Sequence, residues 1–295
     1  MLPFDAVPVF STFALSIILT VVFIRRFKRI GRVSEDIHKE GRPMRADFGG
    51  IPVAAALGTV LLGMYLLTAS SIYMTLTLVF LISASIGLLD DIFRFNPYQK
   101  LGLTALPALP LILFWSFGVY EVLAVVVAVV VLSNWTNMLA GFNGLEAGMG
   151  AIALFFLALN TGHFELRTAL FAYSFALLGF LFFNKYPAKV FPGDVGTLPI
   201  GAFLAASAAL GAPLLPLMIL SIPYFFDMLL KFITMGIASS KRIVPTRVEN
   251  GILVPQKSYL SLTNLILRIK GMREWQLVAI YWLVEIALGI VTLVI

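Results

Sequence analysis

The chain has 295 residues, 60% of them hydrophobic and only 12% charged, and its mean hydropathy is +0.98. Soluble proteins carry about 25% charge, so a chain this apolar cannot face water all round and reads as a membrane protein. The composition excludes disordered, collagen-like and disulfide-scaffold classes. With no cysteine there is also no thiolate metal site and no cysteine nucleophile.

A helix needs about 20 apolar residues to cross a hydrocarbon core of about 30 Å. On that criterion spans are predicted near 7–24, 50–68, 74–89, 101–118, 122–139, 148–160, 167–184, 196–211, 213–237 and 274–294. The sixth is short, and Pro107 and Pro110 are expected to bend the fourth. The first is too long, and too closely followed by structure, for a cleaved signal peptide. No repeat or linker divides the chain. The expectation is an all-α polytopic membrane protein of about ten transmembrane helices, one domain over 1–295, with both termini on the outer side.

Basic residues set the orientation. With the amino terminus outside, twenty of the twenty-one Lys and Arg residues fall towards the cytoplasm, and only Arg167 is left outside. The net charge of +6 is therefore topological, and nucleic acid is not needed to explain it.

Charged side chains near a membrane interior are costly and usually functional. The polar clusters fall on the inner face: EDIHKEGRPMRADFGG in the first loop, GLLDDIFRFNPYQK at the end of span three, NWTNMLAGFNGLEAG at the end of span five, FPGDVG before span eight, and SKRIVPTR in the last loop. Each has a plainer reading. Asp90–Asp91 could be a solvated helix end, the glycines turns, Asn134, Asn137 and Asn143 interhelical glue, and the basic loops mere orientation signals. Asp227 and Lys231 could simply pair, four apart on a helix. Glu285 has no evident partner inside span ten, and two histidines, His38 and His163, do not make a histidine metal site. Together, oxygen ligands beside Lys and Arg suit a magnesium–phosphate site on the cytoplasmic side. A secondary transporter is the rival reading, but such proteins place their site near the midplane, typically between repeats, and neither feature is present in the sequence.

The motifs resemble those of the polyprenyl-phosphate N-acetylhexosamine-1-phosphate transferases over nearly the whole chain. NWTNMLAGFNGLEAG is similar to the corresponding run of the dolichyl-phosphate GlcNAc-1-phosphate transferases of eukaryotes and their archaeal relatives. The DD pair with Lys100, YPAKVFPGDVG, the D-x-H-K opening of the first loop and LTNLILRIKGMREWQL fall in family order. The resemblance implies that Asp90, Asp91 and Lys100 are catalytic and that Asn137 and Asp194 hold magnesium, with manganese as a stand-in. It implies substrate contacts from Asp36, Ile37, Asp47, Gly141, Asn143, Phe191, Lys241 and Arg242, with Gly141 and Asn143 on the uridine and Phe191 stacked on uracil. Departures exist: RADFGG stands where relatives commonly have proline and glutamate, Arg94 replaces an asparagine, and the histidine cluster of the cell-wall enzymes is missing.

What this implies is an integral cell-membrane enzyme with its active site facing the cytoplasm. It would transfer GlcNAc-1-phosphate from UDP-GlcNAc to a polyprenyl (dolichyl) phosphate and release UMP. The alternative within the class is another UDP-N-acetylhexosamine donor. The implied partners are the nucleotide sugar, the lipid, the membrane and, as an open alternative, a second copy of the chain in a homodimer.

Overall fold

The computed structural model describes residues 3–236, 245–256 and 258–295. A long apolar helix, α1 (Pro3–Arg29), ends in three basic residues and runs into a hairpin of β1 (Val33–Glu35) and β2 (Met44–Ala46). Helices α2 (Gly50–Thr68) and α3 (Ser71–Phe93) follow, then α4 (Pro97–Leu103), a 3-10 turn at Leu106–Ala108 and α5 (Leu109–Phe114). Next come α6 (Val119–Met138), α7 (Leu145–Asn160), α8 (Phe164–Asn184) and α9 (Asp194–Ala209). The chain closes with α10 (Leu214–Leu220), α11 (Ile222–Met235), a hairpin of β3 (Arg247–Glu249) and β4 (Ile252–Val254), α12 (Leu262–Ile269) and α13 (Glu274–Thr292).

The protein is integral to the membrane and mostly helical, but two features depart from the sequence expectation. The first concerns the number of spans. Among the described residues six helices are long and apolar enough to cross a membrane (α1, α2, α3, α6, α8 and α13), and α10 with α11 makes a seventh if their 53° bend is one broken span. Helices α7 and α9 have only 16 residues each. The expected fourth span, 101–118, is three short pieces, because Pro107 and Pro110 each lack the N–H that a continuing helix needs. The second departure is the pair of small hairpins in the polar loops, which an all-α description omits.

Helix α9 is the hub. It packs against α3 on one side and α6 on the other, and every residue from Val195 to Ser207 is buried. Lipid offers apolar side chains no less than the protein does, so helices join by close fit of small residues. Gly87 of α3 is one such point of close fit: a Cβ there would lie 2.3 Å from the carbonyl oxygen of Asp194. The backbones touch only because residue 87 has no side chain, and this contact fixes the start of α9.

Gly87→Ala is therefore expected to destabilise the protein by about 1–3 kcal/mol, the usual range for an overpacked core. Thermal unfolding of the detergent-solubilised variant measures this, and an unchanged midpoint would show that α3 and α9 separate at little cost.

Candidate active site

The last turn of α3 carries Asp90 and Asp91 on adjacent positions and so sends them in different directions. Arg94, with φ 53°, ends the helix, and Asp90 Oδ1 accepts the N–H of Phe95 at 2.8 Å. Asn96 then starts α4 with a capping box: its side chain accepts from the N–H groups of Tyr98 and Gln99, while Gln99 returns an acceptor to the N–H of Asn96. This reversal swings Lys100 back over the end of α3. Its Nζ lies 2.8 Å from Asp90 Oδ2, donates to Asn137 Oδ1 at 2.9 Å, and donates to Asp194 Oδ2.

The other members hold one another. The side-chain amide of Asn137, near the end of α6, donates to Asp194 Oδ1 and to Thr197 Oγ1, each at 2.8 Å. Asp91 turns to the other side and accepts the N–H groups of Asp194 (2.9 Å) and Val195 (3.1 Å). It thereby satisfies orphan donors at the N-terminus of α9, a capping task performed from another helix. Asp90 thus holds the lysine, and Asp91 holds the loop that presents Asp194.

Beside this nest lies a cleft of about 330 Å³ that reaches Asp91, Asp194 and Thr197 at one end. Its walls take in Asp36, Ile37, Asp47, Gly141, Asn143 and Phe191, so every described residue expected on the nucleotide side lines one cavity. Asp36 is buried and accepts from Asn143 Nδ2 at 3.1 Å. Asp47 accepts from Ser34 Oγ at 2.5 Å and from the N–H of Phe48 at 2.8 Å. His38 stacks on Phe142 with ring centroids 4.6 Å apart. Glu146, buried at the base, takes the N–H of Gly141 on one oxygen at 2.6 Å and leaves the other without a protein partner.

With the geometry established, the chain can be set beside known proteins. Residues 71–212 match the family described as Glycosyl transferase family 4. A protein of Methanocaldococcus jannaschii, provisionally named a glycosyltransferase, is 45% identical over 222 residues, which is 71% of this chain and 72% of that one. A protein of Saccharolobus solfataricus, provisionally named a UDP-N-acetylglucosamine–dolichyl-phosphate N-acetylglucosaminephosphotransferase, is 33% identical over 310 residues, covering 97% of this chain and 95% of that one. The chain belongs to glycosyl transferase family 4. A Streptococcus gordonii protein named phospho-N-acetylmuramoyl-pentapeptide-transferase is a more distant relative, 26% identical over 97% of this chain and 96% of its own.

The matched stretch of family 4 contains Asp90, Asp91, Lys100, Asn137, Asn143, Phe191 and Asp194, whereas Asp36, Ile37 and Asp47 precede it. Lys241 and Arg242 lie outside the described residues. The resemblance implies a magnesium ion, and the donor set bears on it. Three oxygens, from Asp90, Asn137 and Asp194, already surround one cation, the Lys100 ammonium. No group of three or more His, Cys, Asp or Glu side chains gathers as metal ligands among the described residues. Magnesium takes one or two carboxylates and completes its shell with phosphate and water. Asn137 and Asp194 fit the role of protein ligands.

Other polar residues have structural work. Asn134 donates to Thr104 Oγ1 at 2.9 Å and ties α4 to α6. Lys231 and Asp227 do pair, at 2.7 Å, and they also clamp neighbours: Lys231 donates to the Met138 carbonyl, and Asp227 accepts the N–H of Leu262. Glu285 is fully buried, and neither oxygen has a hydrogen-bond partner among the described residues. Sequence reasoning passed over Glu146 and Glu274, since an acid in the first turn of a helix suits the helix dipole wherever it occurs. Only the position of Glu146 inside the AGFNGLEAG run could have pointed to it.

Burial, reinforced by neighbouring Lys39, pushes the pKa of His38 down from 6.5 to about 4. Below pH 6.5 the unfolded chain binds a proton at this position that the folded one refuses, so stability is lost as pH falls towards about 4. The stability advantage of wild type over His38→Phe is expected to shrink as pH is lowered from about 7.5 to 5, a window around the ordinary histidine pKa. A constant gap in melting temperature would mean that His38 titrates normally.

Proposed function

We propose that this family 4 protein transfers N-acetylglucosamine 1-phosphate from UDP-GlcNAc to a polyprenyl phosphate of the dolichyl type, giving UMP and a GlcNAc-diphospho-lipid. The observation that carries the reading is the Lys100 ammonium, nested among Asp90, Asn137 and Asp194, the last of which lines a cleft of nucleotide size. The names of the relatives from Saccharolobus solfataricus and Sulfolobus acidocaldarius, at 33% and 31% identity, support the same donor and acceptor.

In this reading the uridine end occupies the wall formed by Ile37, Gly141, Asn143 and Phe191, and the pyrophosphate points at Lys100. An oxygen of the lipid phosphate attacks the β-phosphorus. The bond to the bridging oxygen breaks, and that oxygen leaves on UMP with its electron pair. A phosphate needs no activation as a nucleophile, so the residues act by position and charge. Lys100 bears on the phosphoryl oxygens as charge builds, and Asp90 keeps the ammonium aimed. Asn137 and Asp194 would hold magnesium, which when bound supplies positive charge to the pyrophosphate and the departing UMP. Asp91 keeps Asp194 in place through the backbone.

The acceptor needs an apolar route to the same point. A second cleft, of about 520 Å³, opens where α10 meets α11, with Leu132, Trp135, Ala208, Leu217, Phe225 and Phe226 among its walls. A prenyl chain in this cleft would lie against the α6 face that carries Leu132 and Trp135, level with the last helical turn, to which Asn137 also belongs. We assign the nest to the cytoplasmic face, the side to which the basic loops belong. Short helices α7 and α9 and the broken α4–α5 run complete the set of ten membrane segments.

Release of UMP from UDP-GlcNAc that depends on both polyprenyl phosphate and magnesium, by the purified protein, is the expected result; lipid-independent transport of the nucleotide sugar in vesicles would favour a carrier. Lys100→Ala is expected to lower kcat by about 100- to 1,000-fold, the cost of losing one preorganised charge, with little change in the donor KM. An effect confined to KM would make Lys100 a ground-state anchor. Asp194→Ala is expected to abolish turnover, and near-normal activity with an unchanged magnesium requirement would remove Asp194 from the metal site.

A further inference from the structure

Glu274 is the first residue of α13 and is buried, yet it does not line the nucleotide cleft. One oxygen accepts the N–H of Asn143 at 2.6 Å, and the other pairs with Lys39. Lys39 lies 3.7 Å from Asp36 and 4.4 Å above the Tyr186 ring, and Asp36 in turn accepts from the side chain of Asn143. The contacts close a ring that runs from the Asn143 backbone to Glu274, Lys39, Asp36 and back to the Asn143 side chain. The His38–Phe142 stack is borne by neighbours of these residues. Just before α13, Met272 bridges to Leu253 of β4, so the last loop hangs from the same point.

We propose that Glu274 is a positioning residue for the donor: it holds the Asn143 turn and the Asp36–Lys39 loop in the one arrangement that fits the nucleotide. This inference rests on the functional reading above. The physical case is one of preorganisation. The N–H of Asn143 belongs to a turn between α6 and α7, outside either helix's hydrogen-bond ladder, and a buried N–H without an acceptor is costly. Glu274 supplies the acceptor from a third element, so the wall is formed before the ligand arrives and binding need not order it. An acid that merely suited the α13 dipole would need neither contact.

The test compares wild type with Glu274→Ala and Glu274→Gln, reading UMP affinity by calorimetry, kcat and KM for UDP-GlcNAc, and melting temperature. Glu274→Ala is expected to weaken UMP binding and raise the donor KM by about 10- to 100-fold, the loss typical of a hydrogen bond to a charged group, while kcat falls far less. Glu274→Gln keeps an acceptor for Asn143 but loses the one for Lys39, and is expected to recover part of that loss. The inference is overturned if Glu274→Ala binds UMP like wild type, if kcat falls and KM does not, or if Gln does no better than Ala. Should Glu274→Ala fail to fold, Glu274→Asp carries the test: it keeps the charge but draws it back by one methylene, and unchanged UMP affinity overturns the inference. A wild-type protein that releases no UMP overturns the functional reading and this inference with it; an active wild type with indifferent variants overturns this inference alone.

Discussion

An ammonium group has three donors and no acceptor, and at Lys100 it meets oxygens of three separate helices: Asp90 on α3, Asn137 on α6 and Asp194 on α9. At the edge of an apolar interior none of these charges is tolerable alone, since a buried ion needs partners that replace its lost hydration. Once the set is satisfied, the ends of three helices cannot move independently. Much of the architecture serves this requirement. The capping box at Asn96 turns α4 back, the bare backbone at Gly87 lets α3 reach the start of α9, and Asp91 anchors the first N–H groups of α9. The same arrangement that neutralises the lysine at rest leaves it aimed at whatever negative charge arrives in the cleft.

The polar nest around Lys100 was legible because polarity is conspicuous in an apolar chain. Asp90, Asp91, Lys100, Asn137 and Asp194 stand out against their surroundings, and all five meet. What a pattern of residue types cannot express is which atom faces which. Asp90 and Asp91 look like one motif, yet one grips a side chain and the other a backbone. Glu146 and Glu274 are at helix starts, where acids are commonplace, and both accept N–H groups of one turn, adjacent to Glu146 and 131 residues from Glu274. Fewer helices are long enough to count as spans than hydropathy alone suggests: six, or seven with the bent pair, among the described residues. Hydropathy records how apolar a segment is, but a short helix sheathed by other helices, such as α9, is as apolar as one that faces lipid.

Division of labour between rigid and composite parts is a further theme. The nest is built on helix ends, which hold side chains to narrow limits, as a site for phosphoryl transfer requires. The nucleotide wall is built from loops: the hairpin after α1, the turn after α6 and the segment before α9. A single parallel bridge between Ala46 and Val190 joins the first and last of these, with Phe191 donating its N–H to the Ala46 carbonyl at 2.8 Å. Loops can change residues without disturbing helix packing, so this wall is free to vary separately from the helix ends that hold the nest.

The ring around Glu274 also orders events in time. Lys39 and Glu274 are 235 residues apart, whereas Lys100 and Asp194 are separated by 94. At about 5–20 residues per second of synthesis, the interval between the two halves of the longer pair is roughly 10 to 50 s. Once Asp194 is made, 80 residues before Glu274, the Lys100 nest can assemble from the helices already synthesised, while Asp36 and Lys39 still wait for their last partner. A nascent chain can therefore complete the Lys100 nest before the ring around Glu274 closes. Competence arrives with the final helix, and a polypeptide released short of it would have the catalyst's charges without the wall that preforms the grip on its donor.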